Sequence, residues 1–286
     1  MSETSLESSG PKAAPETLIL KPSKGWVSLQ LGDLWRYREL IYFLTWRDVL
    51  VRYKQTLLGA AWAIIQPVMQ MLVFNFLFGD MANISTGDIP RPVFTFAALL
   101  PWNLFSKALS DASRSLVSSA SMITKVYFPR LVIPLSSTLS GVVDFVIAFV
   151  ILIGMMFFYQ VPVTAQIWAV PLFILLTLVA ALGVGLWFSA WNLHYRDVRY
   201  LVPFLTQFWM LATPIAYPLS EIPEQWQLLY AVNPMVGVVE GFRWALVDGP
   251  AVEPVVMILS VGVSLLVFVS GLFYFKRMER TFADMV

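Results

Sequence analysis

The stretch L-V-I-P-L-S-S-T-L-S-G-V-V-D-F-V-I-A-F-V-I-L-I-G-M-M-F-F-Y, Leu131 to Tyr159, carries a single charge, Asp144. About 20 apolar residues carry a helix through the hydrocarbon of a bilayer, and this run is longer than that. The short turn Val161-Pro162-Val163-Thr164 separates it from Ile167 to Leu193, which carries no charge at all. Two such runs back to back read as a membrane-crossing hairpin, not as core helices of a soluble domain.

Working outward, the same count finds Leu57 to Gly79, uncharged; Val93 to Ser110, interrupted by Lys107; Tyr200 to Tyr217; and Val255 to Phe275. The expectation is an all-α membrane protein of six transmembrane helices, at about 57–79, 93–110, 131–159, 167–193, 200–217 and 255–275. Composition agrees: 58% of the chain is hydrophobic and 13% charged, against about 25% charged in soluble domains. Residues 25–286 then form a single transmembrane domain. Residues 1–24, polar and rich in Ser, Pro and Glu, read as a disordered cytoplasmic tail without the basic start and apolar run of a signal peptide.

Orientation follows from the cations, which stay on the cytoplasmic side near the ends of spans. With the N-terminus inside, sixteen of the nineteen Lys and Arg fall on cytoplasmic segments. Arg91 and Arg243 fall outside, and Lys107 lies within a span. Both termini are therefore expected in the cytoplasm, with the protein in the inner (plasma) membrane.

Two stretches are too broken to cross. Over 34–54, Trp35, Tyr42, Trp46 and Tyr53 share one helical face, beside a stripe of Arg36, Arg47 and Lys54. Such a helix lies at the interface with its rings at headgroup level and its cations against anionic lipid; packing on a partner protein is the other reading. Pro218 to Trp244 is punctuated by Pro218, Pro223, Asn233-Pro234 and three acids. It reads either as two short helices meeting at Asn233-Pro234 and dipping into the outer face, or as an ordinary external loop.

The inventory for chemistry is poor. No cysteine and a single histidine, His194, leave nothing for a metal site, a thiol nucleophile or a disulfide. Neither a G-x-x-x-x-G-K-S/T phosphate loop nor a G-x-S-x-G elbow occurs, so ATP hydrolysis would need another chain. A net charge of +1 gives no argument for nucleic acid. What the spans offer is a lining: Trp62, Gln66 and Gln70; Trp102 and Phe105; Trp187 and Trp191 at i and i+4; Phe204 and Phe208 beside Gln207. Aromatic faces mixed with amides suit sugars, and they equally suit helix packing and lipid. Asp144 and Lys107 must each face protein or water, because a charge at a helix centre costs about 2.5–3.5 kcal/mol to insert. A direct pair between the two is one way to meet that cost.

Several stretches are more specific than composition. R-Y-K-Q-T-L-L-G-A-A-W-A-I-I-Q-P (Arg52 to Pro67), K-V-Y-F-P-R (Lys125 to Arg130), Y-R-D-V-R-Y (Tyr195 to Tyr200), A-T-P-I-A-Y-P (Ala212 to Pro218) and N-P-M-V-G-V-V-E-G-F-R (Asn233 to Arg243) together resemble the polysaccharide-export permeases of the type-2 ABC exporters. The resemblance implies a homodimer of six-span subunits bound to two copies of a separate ATPase. ATP and Mg would sit on that ATPase, with no cofactor in this chain. The substrate would be a polyprenyl-linked polysaccharide of O-antigen type, with capsule and teichoic-acid polymers as variants. A drug or small-lipid exporter is the alternative, followed by a membrane enzyme acting on lipid-linked sugar. By the same resemblance Lys125, Tyr127, Arg130, Tyr195, Arg196, Asp197 and Arg199 couple to the ATPase. Pro218, Trp226, Asn233 and Pro234 belong to the external gate. Trp35, Arg36, Trp46, Arg47, Tyr53 and Lys54 form the lipid interface, and Trp62, Gln66, Trp102, Phe105, Trp187, Trp191, Phe208 and Tyr217 line the path.

Overall fold

The computed structural model of the protein describes residues 31–54, 59, 61–82, 84–279 and 282. The tail expected over 1–24, Gln55 to Leu58 of the first family motif, and Arg280 lie outside the described residues. The elements run α1 (Leu31–Arg36), α2 (Arg38–Lys54), α3 (Ala61–Phe74) with a π-helical extension (Asn75–Met81), α4 (Arg91–Ser118), α5 (Ala120–Lys125), α6 (Val132–Phe158), a 3-10 turn (Ala165–Ala169) leading into α7 (Val170–His194), α8 (Val198–Leu211), a 3-10 turn (Leu219–Glu221), α9 (Glu224–Ala231), α10 (Pro234–Val247) and α11 (Pro254–Met278). No strand occurs among the described residues.

Among the described residues, four helical stretches are long and apolar enough to cross a membrane: Ala61–Met81, Val132–Phe158, Ala165–His194 and Pro254–Met278. α4 and α8 fall outside that class for different reasons. α4 has the length, with 28 residues, but Lys107, Asp111 and Arg114 occupy its second half. The expected span ends at Ser110, whereas the helix continues to Ser118, with Lys107 and Asp111 paired at i and i+4 along it. α8 has 14 residues, or about 21 Å of helix. It stops at Leu211, short of the expected Tyr217, because Pro214 and Pro218 cannot continue an α-helical ladder.

α4 is the central post, packed against α6, α7 and α10, while α11 packs on α7 and α2 on the first half of α6. Close approach depends on small residues: a Cβ on Gly183 of α7 would lie 2.7 Å from the backbone of Phe268 on α11, and one on Gly185 2.7 Å from Ala112 of α4. In lipid, where apolar burial between helices gains little, this backbone-level contact is a main source of packing energy.

The bundle has two chemically distinct ends. One gathers α2, α5, the 126–131 segment, the end of α7 and the end of α11 around a core of Leu44, Ile123, Phe128, Leu186, Phe275 and Phe282. It carries Arg36, Arg38, Arg47, Lys54, Lys125, Arg130, Arg196, Arg199, Lys276 and Arg277. At the other end, Arg91 donates to the carbonyl of Ile84 and Thr164 donates to the carbonyl of Ala245, and Arg243 is buried in α10.

Candidate functional site

A polar cavity of about 680 Å3 opens between α2, α3, α4, α6 and α8. α3 contributes Trp62, Gln66 and Gln70 from one face. α4 contributes Asn103, Lys107, Asp111 and Arg114, which helical spacing places in one stripe. Thr206 and Gln207 come from α8 and Asp144 from α6. Asn103 Nδ2 donates to Gln70 Oε1 at 3.0 Å, tying α4 to α3.

The charges at the wall form one network. Arg52, at the end of α2, donates to Asp144 at 2.5 Å and to Asp111 at 3.0 Å, and reaches the hydroxyl of Ser140 at 3.1 Å. Lys107 lies 3.3 Å from the same carboxylate of Asp111, and the Tyr53 hydroxyl donates to the second oxygen of Asp144. Asp144 and Lys107 are therefore neutralised by Arg52 and Asp111 respectively, and not by each other. Burial first, and the Asp144 carboxylate second, push the Tyr53 phenol up to about 12. It stays a donor at every physiological pH.

The expected lining residues do not share one surface. Trp62, Gln66 and Trp102 border the polar cavity. Phe105 is fully buried behind Trp102 and meets the ring of Trp209 edge-on at 4.9 Å. Trp187 and Trp191 belong to the seam with α11. Trp187 stacks on Tyr274 at 4.1 Å, and Trp191 donates to the Tyr274 hydroxyl at 2.9 Å; neither borders the cavity, because the i, i+4 stripe they make is a packing stripe. Phe208 lines a separate apolar pocket of about 540 Å3 with Phe188 and Asn233. Tyr217 has its ring 6.3 Å from Phe78.

The residues expected at the ATPase, Lys125, Tyr127, Arg130, Tyr195, Arg196, Asp197 and Arg199, all lie at the basic end. Tyr127 and Tyr195 are two-thirds exposed. Of the lipid-interface set, Trp35, Arg36, Trp46 and Lys54 are exposed, while Arg47 pairs with Asp48 at 2.8 Å and Tyr53 turns inward to Asp144. In the segment expected at the gate, α9 and α10 meet at Asn233-Pro234. Asn233 caps α10 through Met235 N–H, accepts from Trp209 Nε1 at 2.8 Å and donates to Thr213 at 2.9 Å. Trp226 on α9 is half exposed, and Pro218 is partly buried.

The most buried charged pair is one that sequence reasoning passed over. Arg243, wholly inaccessible, pairs with Glu240 at 3.0 Å. Its guanidinium also donates to the carbonyls of Ile215 at 2.5 Å and Tyr217 at 3.3 Å and lies 3.6 Å over the ring of Phe94. Glu240 in turn accepts from Leu219 N–H at 3.1 Å. The pair thereby holds the non-helical stretch 212–219 against α10 and α4. An acid and a base at i, i+3 in an otherwise apolar stretch were the available signal.

The cavity's carboxylates are paired with cations, and its wall offers amides, the indoles of Trp62 and Trp102 and a charged stripe. A family profile for the ABC-2 type transporter matches residues 39–247, which contain the cavity and the buried pair. The O-antigen export system permease protein RfbA of Myxococcus xanthus is 30% identical over 252 residues, covering 86% of this chain and 96% of the relative. A protein of the same name from Klebsiella pneumoniae is 27% identical over 250 residues, covering 87% and 95%. The polysialic acid transport protein KpsM of Escherichia coli is 26% identical over 241 residues, covering 82% and 91%. An all-helical chain with several membrane-crossing helices, matched along most of its length, belongs to the ABC-2 type transporter family as a membrane permease.

Proposed function

We propose that this chain is the membrane subunit of an ATP-driven exporter that moves a polyprenyl-linked, O-antigen-type polysaccharide out of the cytoplasm across the inner membrane. The observation that carries the reading is the polar cavity, with Trp62, Gln66, Gln70, Asn103 and Gln207 on its wall, in a chain whose relatives are named for O-antigen export and polysialic acid transport. Indole faces stack on sugar rings and amides take their hydroxyls.

The working unit in this reading is a homodimer bound to two separate ATPase subunits that hold ATP and Mg. Each subunit crosses six times: the four long apolar stretches, α4 as the second crossing and α8 with its extended continuation as the fifth. α4 is shielded by its neighbours over most of its length, which supports placing a helix with four charged residues in the membrane. The basic end faces the cytoplasm, as the cation bias supports, and carries the coupling surfaces around Tyr127 and Tyr195. ATPase closure would act on them as a rigid-body shift.

An apolar groove of about 600 Å3 between α7 and α11, lined by Trp168, Leu172, Val179 and Met257, favours export of a small lipid or drug as the second reading. Replacing the chromosomal gene with a Gln66→Leu/Gln207→Leu variant separates the two. Surface glycan falls with undecorated carrier-linked polymer accumulating inside if the cavity carries sugar; glycan at the wild-type level, with equal protein in the membrane, would refute it.

A further inference from the structure

The Glu279 carboxylate, just past the end of α11, reaches the segment between α5 and α6. One oxygen accepts the backbone N–H of Arg130 at 3.0 Å, across 149 residues of sequence, and the other takes Lys276 Nζ at 2.7 Å. Arg130 also closes the segment from within: its guanidinium donates to the carbonyl of Ile123 at 2.7 Å, near the end of α5, and to that of Val126 at 3.4 Å. Phe128 is 3% exposed and packs with Leu272, Phe275 and Phe282 of the C-terminal helix region. Between these anchors Val126 and Tyr127 stand out, 55% and 65% exposed, as an apolar knob on the basic end of the bundle.

A two-residue knob transmits force only if its base is stiff. Its base is held by one side chain driven into the core, one arginine cap and one carboxylate from a helix distant in sequence. The carboxylate also stands beside the entrance to α6, where the helix dipole favours negative charge. We infer that Glu279 is a positioning residue for coupling: it fixes the Val126–Tyr127 knob relative to α11, so that movement of the knob moves α6 and α11 together. This rests on the reading, given above, that the 125–130 segment meets the ATPase.

The test uses the full permease–ATPase complex in vesicles and compares Glu279→Ala, Glu279→Asp and Glu279→Gln. The chain has no cysteine, so Tyr127→Cys supplies a unique cross-linking site in each background. Glu279→Ala should lower glycan moved per ATP hydrolysed by about fivefold or more, because a hydrogen bond to a charged group is lost, and should broaden the set of ATPase positions that Tyr127→Cys reaches. Glu279→Asp, one methylene too short, should fall in the same direction, and keeps the test open if Glu279→Ala does not assemble. Glu279→Gln, whose amide oxygen still accepts from Arg130 N–H, should recover most of the ratio. A wild-type transport-to-ATP ratio in Glu279→Ala or Glu279→Asp, with Tyr127→Cys still cross-linking normally, overturns the inference while leaving the coupling reading intact. If Tyr127→Cys fails to cross-link to the ATPase in the otherwise wild-type complex, the coupling reading itself is wrong, and the inference falls with it.

Discussion

Removing one member of the Glu240–Arg243 pair should be more damaging than removing both. Arg243 is 0% exposed and Glu240 4%, so Glu240→Leu leaves a buried guanidinium without its counter-charge and Leu219 N–H without its acceptor. Breaking a buried pair in this way costs about 3–5 kcal/mol. Arg243→Met strands the carboxylate and frees the carbonyls of Ile215 and Tyr217, with a cost of similar size. The double variant Glu240→Leu/Arg243→Met leaves unpaired backbone groups, worth about 1–3 kcal/mol, but no isolated charge. At about 2–4 °C per kcal/mol, each single variant should lower the apparent melting midpoint of the detergent-purified protein by about 6–20 °C, read by size-exclusion after heating. The double variant should fall no further than the worse single, giving a coupling of about 2 kcal/mol or more in the cycle. Single variants within about 2 °C of wild type, or a double variant equal to the sum of the singles, would refute the idea that this pair holds 212–219 in place.

The Asp144 network is only about a quarter exposed, and Arg52 keeps Asp111 when Asp144 is lost. Asp144→Asn should therefore cost less than Glu240→Leu, about 1–2 kcal/mol, in the same heating assay; an equal loss would mean that Asp111 does not hold Arg52 alone. Gly183→Val should abolish recovery of folded protein, because its Cβ meets the Phe268 backbone at 2.7 Å, whereas Gly262→Ala, with nothing within 4 Å, should be neutral; comparable yields from both would contradict the α7–α11 packing. The Tyr53 phenol is raised from 10.0 to about 12, so the protonated form is the one the fold favours. Its contribution to stability is complete below about pH 10 and is lost as pH rises through about 12. An ultraviolet difference titration of wild type against Tyr53→Phe should show no tyrosinate from this residue before pH 10, and an ordinary titration there would place Tyr53 in water.

Uncharged length was legible from residue order alone, and it found α3, α6, α7 and α11. It set other ends for α4 and α8: α4 runs on past Ser110 to Ser118 with its charges paired by neighbouring helices, and α8 stops at Leu211 before Pro214. Lys107 and Asp111 could be seen to lie one turn apart, but nothing in their spacing said that Arg52 would arrive from α2 to share the aspartate. Likewise, the stripe of Trp187 and Trp191 was plain, while its partner face on Tyr274 and Ser270 depended on how α11 packs. Periodicity reports which residues share a face, and only tertiary packing reports what that face meets. The same limit hid Arg243, which by sequence alone looked like a cation in an outer loop and is the most deeply buried charge among the described residues.

If this chain provides the path for a carrier-linked polysaccharide, the transport itself can be followed. The most direct measurement follows labelled polyprenyl-linked glycan across the wall of vesicles holding the purified chain with its ATPase, with and without ATP. The expected result is transfer only when ATPase and ATP are both present, slowed by Gln66→Leu/Gln207→Leu and insensitive to Trp168→Ala in the apolar groove. Transfer of a small lipid or drug but not of glycan, or chemical alteration of the glycan by the chain alone, would contradict it.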